Sequence, residues 1–197
     1  MQIMKNRTAR IERKTHETEI LLEIDLDGAG RFKIDTGIGF LDHMLTHIAK
    51  HGHIDMKVSA KGDLHVDAHH TVEDIAICLG LALCEAIGDK KGITRYGDSS
   101  VPMEDTLANV AIDLSGRPYC VYNVNYPSQK IGDFDVECAE EFLRSFANHG
   151  KFNVHVNVPY GINSHHMAEA IFKALGRSLA VAISITGTDI PSTKGIL

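Results

Sequence analysis

The stretch Ala68–Leu83, AHHTVEDIAICLGLAL, returns in altered form at Ser164–Leu179 as SHHMAEAIFKALGRSL. Each copy opens on His-His-x-x-Glu and runs into an apolar segment of helical period. One such motif is weak evidence of anything. The same motif at the same place in two alignable segments marks an internal repeat.

Working outward, HGHIDMKVSAKGDLHVDA from His51 lies against HGKFNVHVNVPYGINS from His149. Upstream, TEILLEIDLDG (Thr18–Gly28) matches TLANVAIDLSG (Thr106–Gly116), and GFLDHMLTHIAKHG matches AEEFLRSFANHG. Each half reads strand, strand, helix, strand, helix, with the second strand weakest. Ile20, Leu22, Ile24 and Leu26 alternate with charged residues, as in a half-buried strand. Phe152, Val154, Val156 and Val158 alternate likewise. AKGD at 60–63 reads as a hairpin-like turn. Helical periods cover Gly39–His51, Val72–Ile87, Glu137–Asn148 and His166–Ile183, with Gly52 and Gly88 as C-terminal stops. The expected class is α+β: a duplicated two-half fold, each half a small mixed or antiparallel sheet with helices packed on one face. The whole chain, 1–197, is expected to be one domain made of repeats at about 10–90 and 91–190. The boundary falls near Lys91, and one core is shared.

Composition narrows the function. The 197 residues are 44% apolar and carry a net charge of −6. No long basic run exists, so a nucleic-acid partner is not expected. No apolar run is long enough to span a bilayer, and no apolar segment follows the N-terminal cations, so neither membrane nor signal peptide is expected. Cys78, Cys84, Cys120 and Cys138 lack paired spacing and read as reduced thiols of a cytoplasmic protein.

Twelve histidines are many for this length, and most are clustered. On a helix, residues three or four apart share a face, so His70 with Glu73, and His166 with Glu169, can reach one ion. Adjacent histidines lie about 100° apart around the axis. His69 and His70 therefore point to different sites, as do His165 and His166. His43, His47 and His51 form a stripe on a third helix, and the repeat places His43 opposite Glu141. Mixed imidazole and carboxylate ligation suits manganese, iron or zinc. His16, His53, His65 and His155 lack ligand spacing and read as structural.

The motifs TGIGFLDHML, GDLHVDAHHTVED, ITRYGDSSVPMED, DLSGRPY, GINSHHMAEAIFKAL and IPSTKG together resemble the imidazoleglycerol-phosphate dehydratase family, from about Arg10 to Leu197. The resemblance implies a hydro-lyase of histidine biosynthesis with two Mn²⁺ per active site. It implies a homo-oligomeric shell of 24 subunits, with active sites at subunit contacts. Metal ligands would be His43, His69, His70, Glu73, Glu141, His165, His166 and Glu169. Glu141 stands in AEEFL where the family often has the histidine of VEHFF. Substrate phosphate would meet Arg95, Arg117, Lys173, Ser192 and Lys194. Glu17, in KTHET, would be the base. His51 is a second acid–base candidate, with Glu104 of VPMED as its partner. His43 and His51 would also border the substrate. His47 lies outside the family pattern. A metallohydrolase of a phosphorylated small molecule, or a metal-binding structural shell, are the alternatives.

Overall fold

The computed structural model of the chain describes residues 7–197. Of the N-terminal cations Lys5, Arg7, Arg10 and Arg13, Lys5 lies outside the described residues. In chain order the first half contains β1 (Thr8–Lys14), β2 (Thr18–Asp25), β3 (Phe32–Asp35), α1 (Gly39–Gly52), β4 (Asp55–Gly62) and α2 (His69–Ile87). The second contains β5 (Tyr96–Met103), β6 (Thr106–Asp113), β7 (Tyr119–Asn123), a short hairpin β8 (Lys130–Ile131) and β9 (Phe134–Asp135), α3 (Glu137–Gly150), β10 (Asn153–Asn157) and α4 (Ser164–Ala182).

The two sheets share one plan. Their orders are β1-β2-β4-β3 and β5-β6-β10-β7. In each, the first three neighbours pair antiparallel and the last pair is parallel. The expected α+β class and its duplication are thus present in the topology. Alternation decides which face is covered. Ile20, Leu22 and Ile24 of β2, and Ala108, Val110 and Ile112 of β6, are buried beneath the helices. α2 packs on β1 and β2 and meets α3, whereas α4 packs on β5 and β6 and meets α1. The helices therefore form an inner layer between two sheets, and one apolar cluster runs through both halves. Cys78 and Cys138 lie buried in it, and desolvation pushes each thiol up to about 11.

The leading strand of each half was not expected. β1, TARIERK, buries only Ala9 and β5, YGDSSVPM, only Gly97. Both are sheet edges, where charge and proline are tolerated and apolar alternation is weak. The turn read at 60–63 is also displaced. β4 runs on through Gly62, where an ideal Cβ would stand 1.9 Å from Thr71 Oγ1, so only glycine passes beneath α2. The chain turns just afterwards, with Val66 N donating to Asp63 O. Among the described residues, no helix is long and apolar enough to cross a membrane.

Both helix–helix contacts are made through glycine. An ideal Cβ on Gly80 of α2 would lie 2.6 Å from Gly150 N and 2.8 Å from Phe146 O of α3. One on Gly176 of α4 would lie 3.0 Å from His47 O and 3.2 Å from Gly52 N of α1. These positions correspond in the repeat. Because Gly52 and Gly150 serve the crossings, the left-handed caps fall one residue later, on His53 (φ 54°) and Lys151 (φ 52°). Gly88, by contrast, caps α2 as expected.

Gly80→Ala should lower unfolding free energy by about 1–3 kcal/mol in urea titrations, because overpacking outweighs alanine's gain in helix propensity. Gly176→Ala, with looser clearance, should cost less. The reverse order would refute the account of the crossings.

Candidate metal centre

The N-terminus of α4 is fixed by Asn163, whose Oδ1 accepts from His165 N and His166 N. This N-cap sets the first turn and aims the histidine pair. The rings of His165 and His166 stand 6.2 Å apart at 89°. Those of His69 and His70 stand 6.2 Å apart at 90°. Both pairs diverge, as adjacent positions on a helix must.

The α1–α4 crossing brings three expected ligands together. Glu169 Oε2 lies 3.1 Å from His43 Nε2 and 3.0 Å from His165 Nε2, and all three atoms are within 4.8 Å of one another. A borderline cation takes this donor set, two imidazole nitrogens and one carboxylate oxygen, readily. The other oxygen, Oε1, receives Lys173 Nζ at 2.6 Å and faces His47 Nε2 at 3.2 Å. Burial alone would raise the Glu169 carboxyl. Hydrogen bonds from Lys173 and His43 outweigh it and hold the group at about 2, so it is an anion at neutral pH. Lys173, expected in the phosphate cradle, is in contact with this cluster. Burial pushes His47 down to about 4 despite the attraction of Glu169.

A second group gathers Glu17, Asp63 and His70. His70 Nδ1 is 2.9 Å from Asp63 Oδ2 and 3.8 Å from Glu17 Oε2. In the other half His166 Nδ1 is 2.5 Å from Asp105 Oδ1, whose second oxygen accepts from Ile162 N and Asn163 N. Both aspartates therefore occupy Nδ1 and leave Nε2 free. This is the outer arrangement by which carboxylates orient metal-binding histidines. The hydrogen bond with Asp63 raises His70, and that with His166, first among several, depresses Asp105. Neither aspartate was among the expected site residues. The repeat held the signal for one of them: aligning Thr18 with Thr106 sets Glu17 opposite Asp105.

Other expected ligands stay apart within one chain. His69, Glu73, Glu141 and His166 belong to neither converging group among the described residues. Glu141 is buried, accepts from Ser145 Oγ at 2.8 Å and is ion-paired with Arg144. Glu104, expected as the partner of His51, sits exposed in the β5–β6 turn at φ 47°, and its neighbour Asp105 meets His166. His51 stacks on His47, centroids 5.7 Å apart.

Of the residues expected at phosphate, Arg95 is tied to the C-terminal tail at the far end of the second sheet. Arg95 grips Asp113 with two nitrogens, at 2.7 and 3.2 Å, and donates to Pro191 O at 2.9 Å. The tail is further tied by Gly92 N donating to Asp189 O and Gly187 N donating to Gly92 O. Its end, Leu197, lies against Gly116, next to Arg117. Ser192 and Lys194, the latter exposed, are thereby carried to the Arg95–Arg117 end of the sheet.

The family model for imidazoleglycerol-phosphate dehydratase matches residues 36–179. A Clostridium botulinum protein of that name is 55% identical over 98% of this chain and all of its own length. One from Nitrosomonas eutropha is 54% identical over 97% of this chain and all of its own. The crystal structure of the Staphylococcus aureus dehydratase superposes with a TM-score of 0.83 at 39% identity, covering 91% of this chain and 99% of that one.

The burial of His47 has a measurable consequence for metal-stripped protein. Its imidazole binds a proton near 6.5 when unfolded and near 4 when folded, so the unfolded state holds more protons between those values. Folding stability should then fall as pH drops from 6.5 towards 4, by at most about 3 kcal/mol from this residue. The difference in unfolding free energy between wild type and His47→Gln should therefore vary over that window. A difference that is constant with pH would contradict it.

Proposed function

The chain belongs to the imidazoleglycerol-phosphate dehydratase family, and we propose that it removes water from D-erythro-imidazoleglycerol phosphate, giving imidazoleacetol phosphate for L-histidine synthesis, at a two-manganese centre. The observation that carries this is the convergence of His43, His165 and Glu169 in a chain that dehydratases match end to end. Mn²⁺ suits the mixed nitrogen and oxygen donors, and when bound it supplies Lewis acidity towards the substrate's imidazole, the only electron sink the substrate has.

The chain's own groups divide the remaining work. Glu17 stands exposed in the β1–β2 turn, with Oε2 3.8 Å from His70 Nδ1. It is placed beside a ligand histidine yet free to take a carbon-bound proton, which is what a general base requires. His51, one stripe position beyond His47, is a second candidate for moving protons, and burial lowers its imidazole, favouring the neutral form that can accept one. Arg95, Arg117, Ser192 and Lys194 offer paired guanidinium donors, a hydroxyl and a point charge to a phosphate.

Distance decides how these parts combine. From Glu169 to Ala182 the α4 axis rises about 20 Å, and β5 spans about 25 Å between Arg95 and the Asp105 turn. Three carbons link ring to phosphate in the substrate, far less than either span. The cradle of one chain therefore serves the metal cluster of another. His69, Glu73, Glu141 and His166 are ligands completed in the same way. This supports a homo-oligomer with active sites at subunit contacts, read as the 24-subunit shell.

Turnover assays test the reading. Purified protein should form ketone from the substrate without releasing inorganic phosphate, and chelation should abolish turnover that Mn²⁺ then restores. Phosphate release would point to the hydrolase. Glu17→Gln should lower kcat by about 10²–10⁴ while keeping metal and assembly; surviving turnover removes Glu17 as base. Lys194→Ala should chiefly raise KM, by about 10–100-fold, as loss of a charge-assisted hydrogen bond to phosphate predicts. A pure kcat effect would argue against its phosphate role.

A further inference from the structure

His47 lies on the stripe of α1 between His43 and His51, and the dehydratase reading gives it no task. Its surroundings do. Its side chain is 13% exposed, against 43% for His43. Its ring packs edge-on to His43, centroids 4.4 Å apart, and stacks on His51. Its own backbone carbonyl meets Gly176 at the α1–α4 crossing. The ring is thus held between two imidazoles on a backbone fixed at the crossing, and its Nε2 lies 3.2 Å from Glu169 Oε1.

The two oxygens of Glu169 do different work. Oε2 faces the nitrogens of His43 and His165, the other two members of the converging group. Oε1 faces Lys173 Nζ at 2.6 Å and His47 Nε2. His47 does not join the set of mutually close ligand atoms, so it is not placed to share their cation. Its Nε2 is also 3.3 Å from His43 Nε2. When the lone pair of His43 is turned to a metal, the proton on His47 Nε2 has one acceptor left, Glu169 Oε1. A single donor such as Lys173 leaves a carboxylate free to pivot about the N···O axis. A second donor from a fixed ring sets its plane.

We propose that His47 is a positioning residue of the metal centre, donating from Nε2 to Glu169 Oε1 and thereby presenting Oε2 to the metal beside His43 and His165. The inference rests on the metal reading given under Proposed function. Glutamine keeps an N–H donor at this position and leucine keeps only the bulk, so the pair separates donation from packing.

Mn²⁺ titration of the assembled protein, followed by the electron paramagnetic resonance of free Mn²⁺, tests it. His47→Leu should weaken one class of site by about 10–100-fold, and His47→Gln should stay within about threefold of wild type. The nitrogen modulation of bound Mn²⁺ should show the same number of imidazoles in His47→Gln as in wild type. Leucine binding as wild type does, glutamine failing as badly as leucine, or loss of one imidazole signal would each overturn the proposal. Wild-type protein that binds no Mn²⁺ would sink the metal reading itself, and this inference with it; the wild-type titration thus separates the two failures.

Discussion

Two glycine contacts set the geometry on which everything else depends. Gly80 against Gly150, and Gly176 against Gly52, let helices from opposite halves touch backbone to backbone. Side chains on the flanking turns are then close enough to meet across the crossing. His43 stands about two turns before Gly52 and Glu169 about two turns before Gly176, so the crossing that joins the halves also joins their polar groups. A larger residue at either position would separate helices and ligands together. Stability and site geometry are coupled through one packing constraint.

The sequence exposed the parts of this plan that local chemistry dictates. Strand alternation at Ile20, Leu22 and Ile24 survives folding because one face of β2 is covered, and the repeat showed that β6 does the same. The divergence of the adjacent histidines followed from helix geometry alone and is present at both motifs. What stayed hidden depended on distant partners. β1 and β5 are edges, where the covered face is nearly empty of apolar side chains. Asp63 and Asp105 are polar turn residues whose importance comes only from the histidine each meets after folding. The resemblance put Lys173 at the phosphate, and its place four residues after Glu169 put it on the same helical face; its ammonium lies 2.6 Å from Glu169 Oε1.

Divergence within each histidine pair also limits what one chain brings together. Two neighbouring imidazoles that point apart do not converge on one point, and the two rings of each pair stand about perpendicular. Among the described residues the chain gathers two groups of three donors, and His69, Glu73, Glu141 and His166 belong to neither. Arg95 lies at the opposite end of its sheet from the Asp105 turn, tied to Asp113 and to Pro191 of the tail. The polar groups of the second half are thus split between two ends of one sheet, a strand's length apart.

The two halves have not stayed equal, and the differences concern charge. The repeat sets His43 opposite Glu141, His47 opposite Ser145, Glu169 opposite Glu73 and Lys173 opposite Ile77. On the α1–α4 side a single carboxylate is balanced by Lys173 before any cation arrives. On the α2–α3 side Glu141 is balanced by Arg144, and Glu73 has no lysine in the place that corresponds to Lys173. Ser145 donates to Glu141 from one helical turn away, whereas His47 faces Glu169 across the α1–α4 crossing, so each half sets a polar neighbour against a buried carboxylate. The α2–α3 residues thus carry one more formal negative charge than their counterparts. A duplicated scaffold has thus kept its carboxylates in register while changing the groups that balance them.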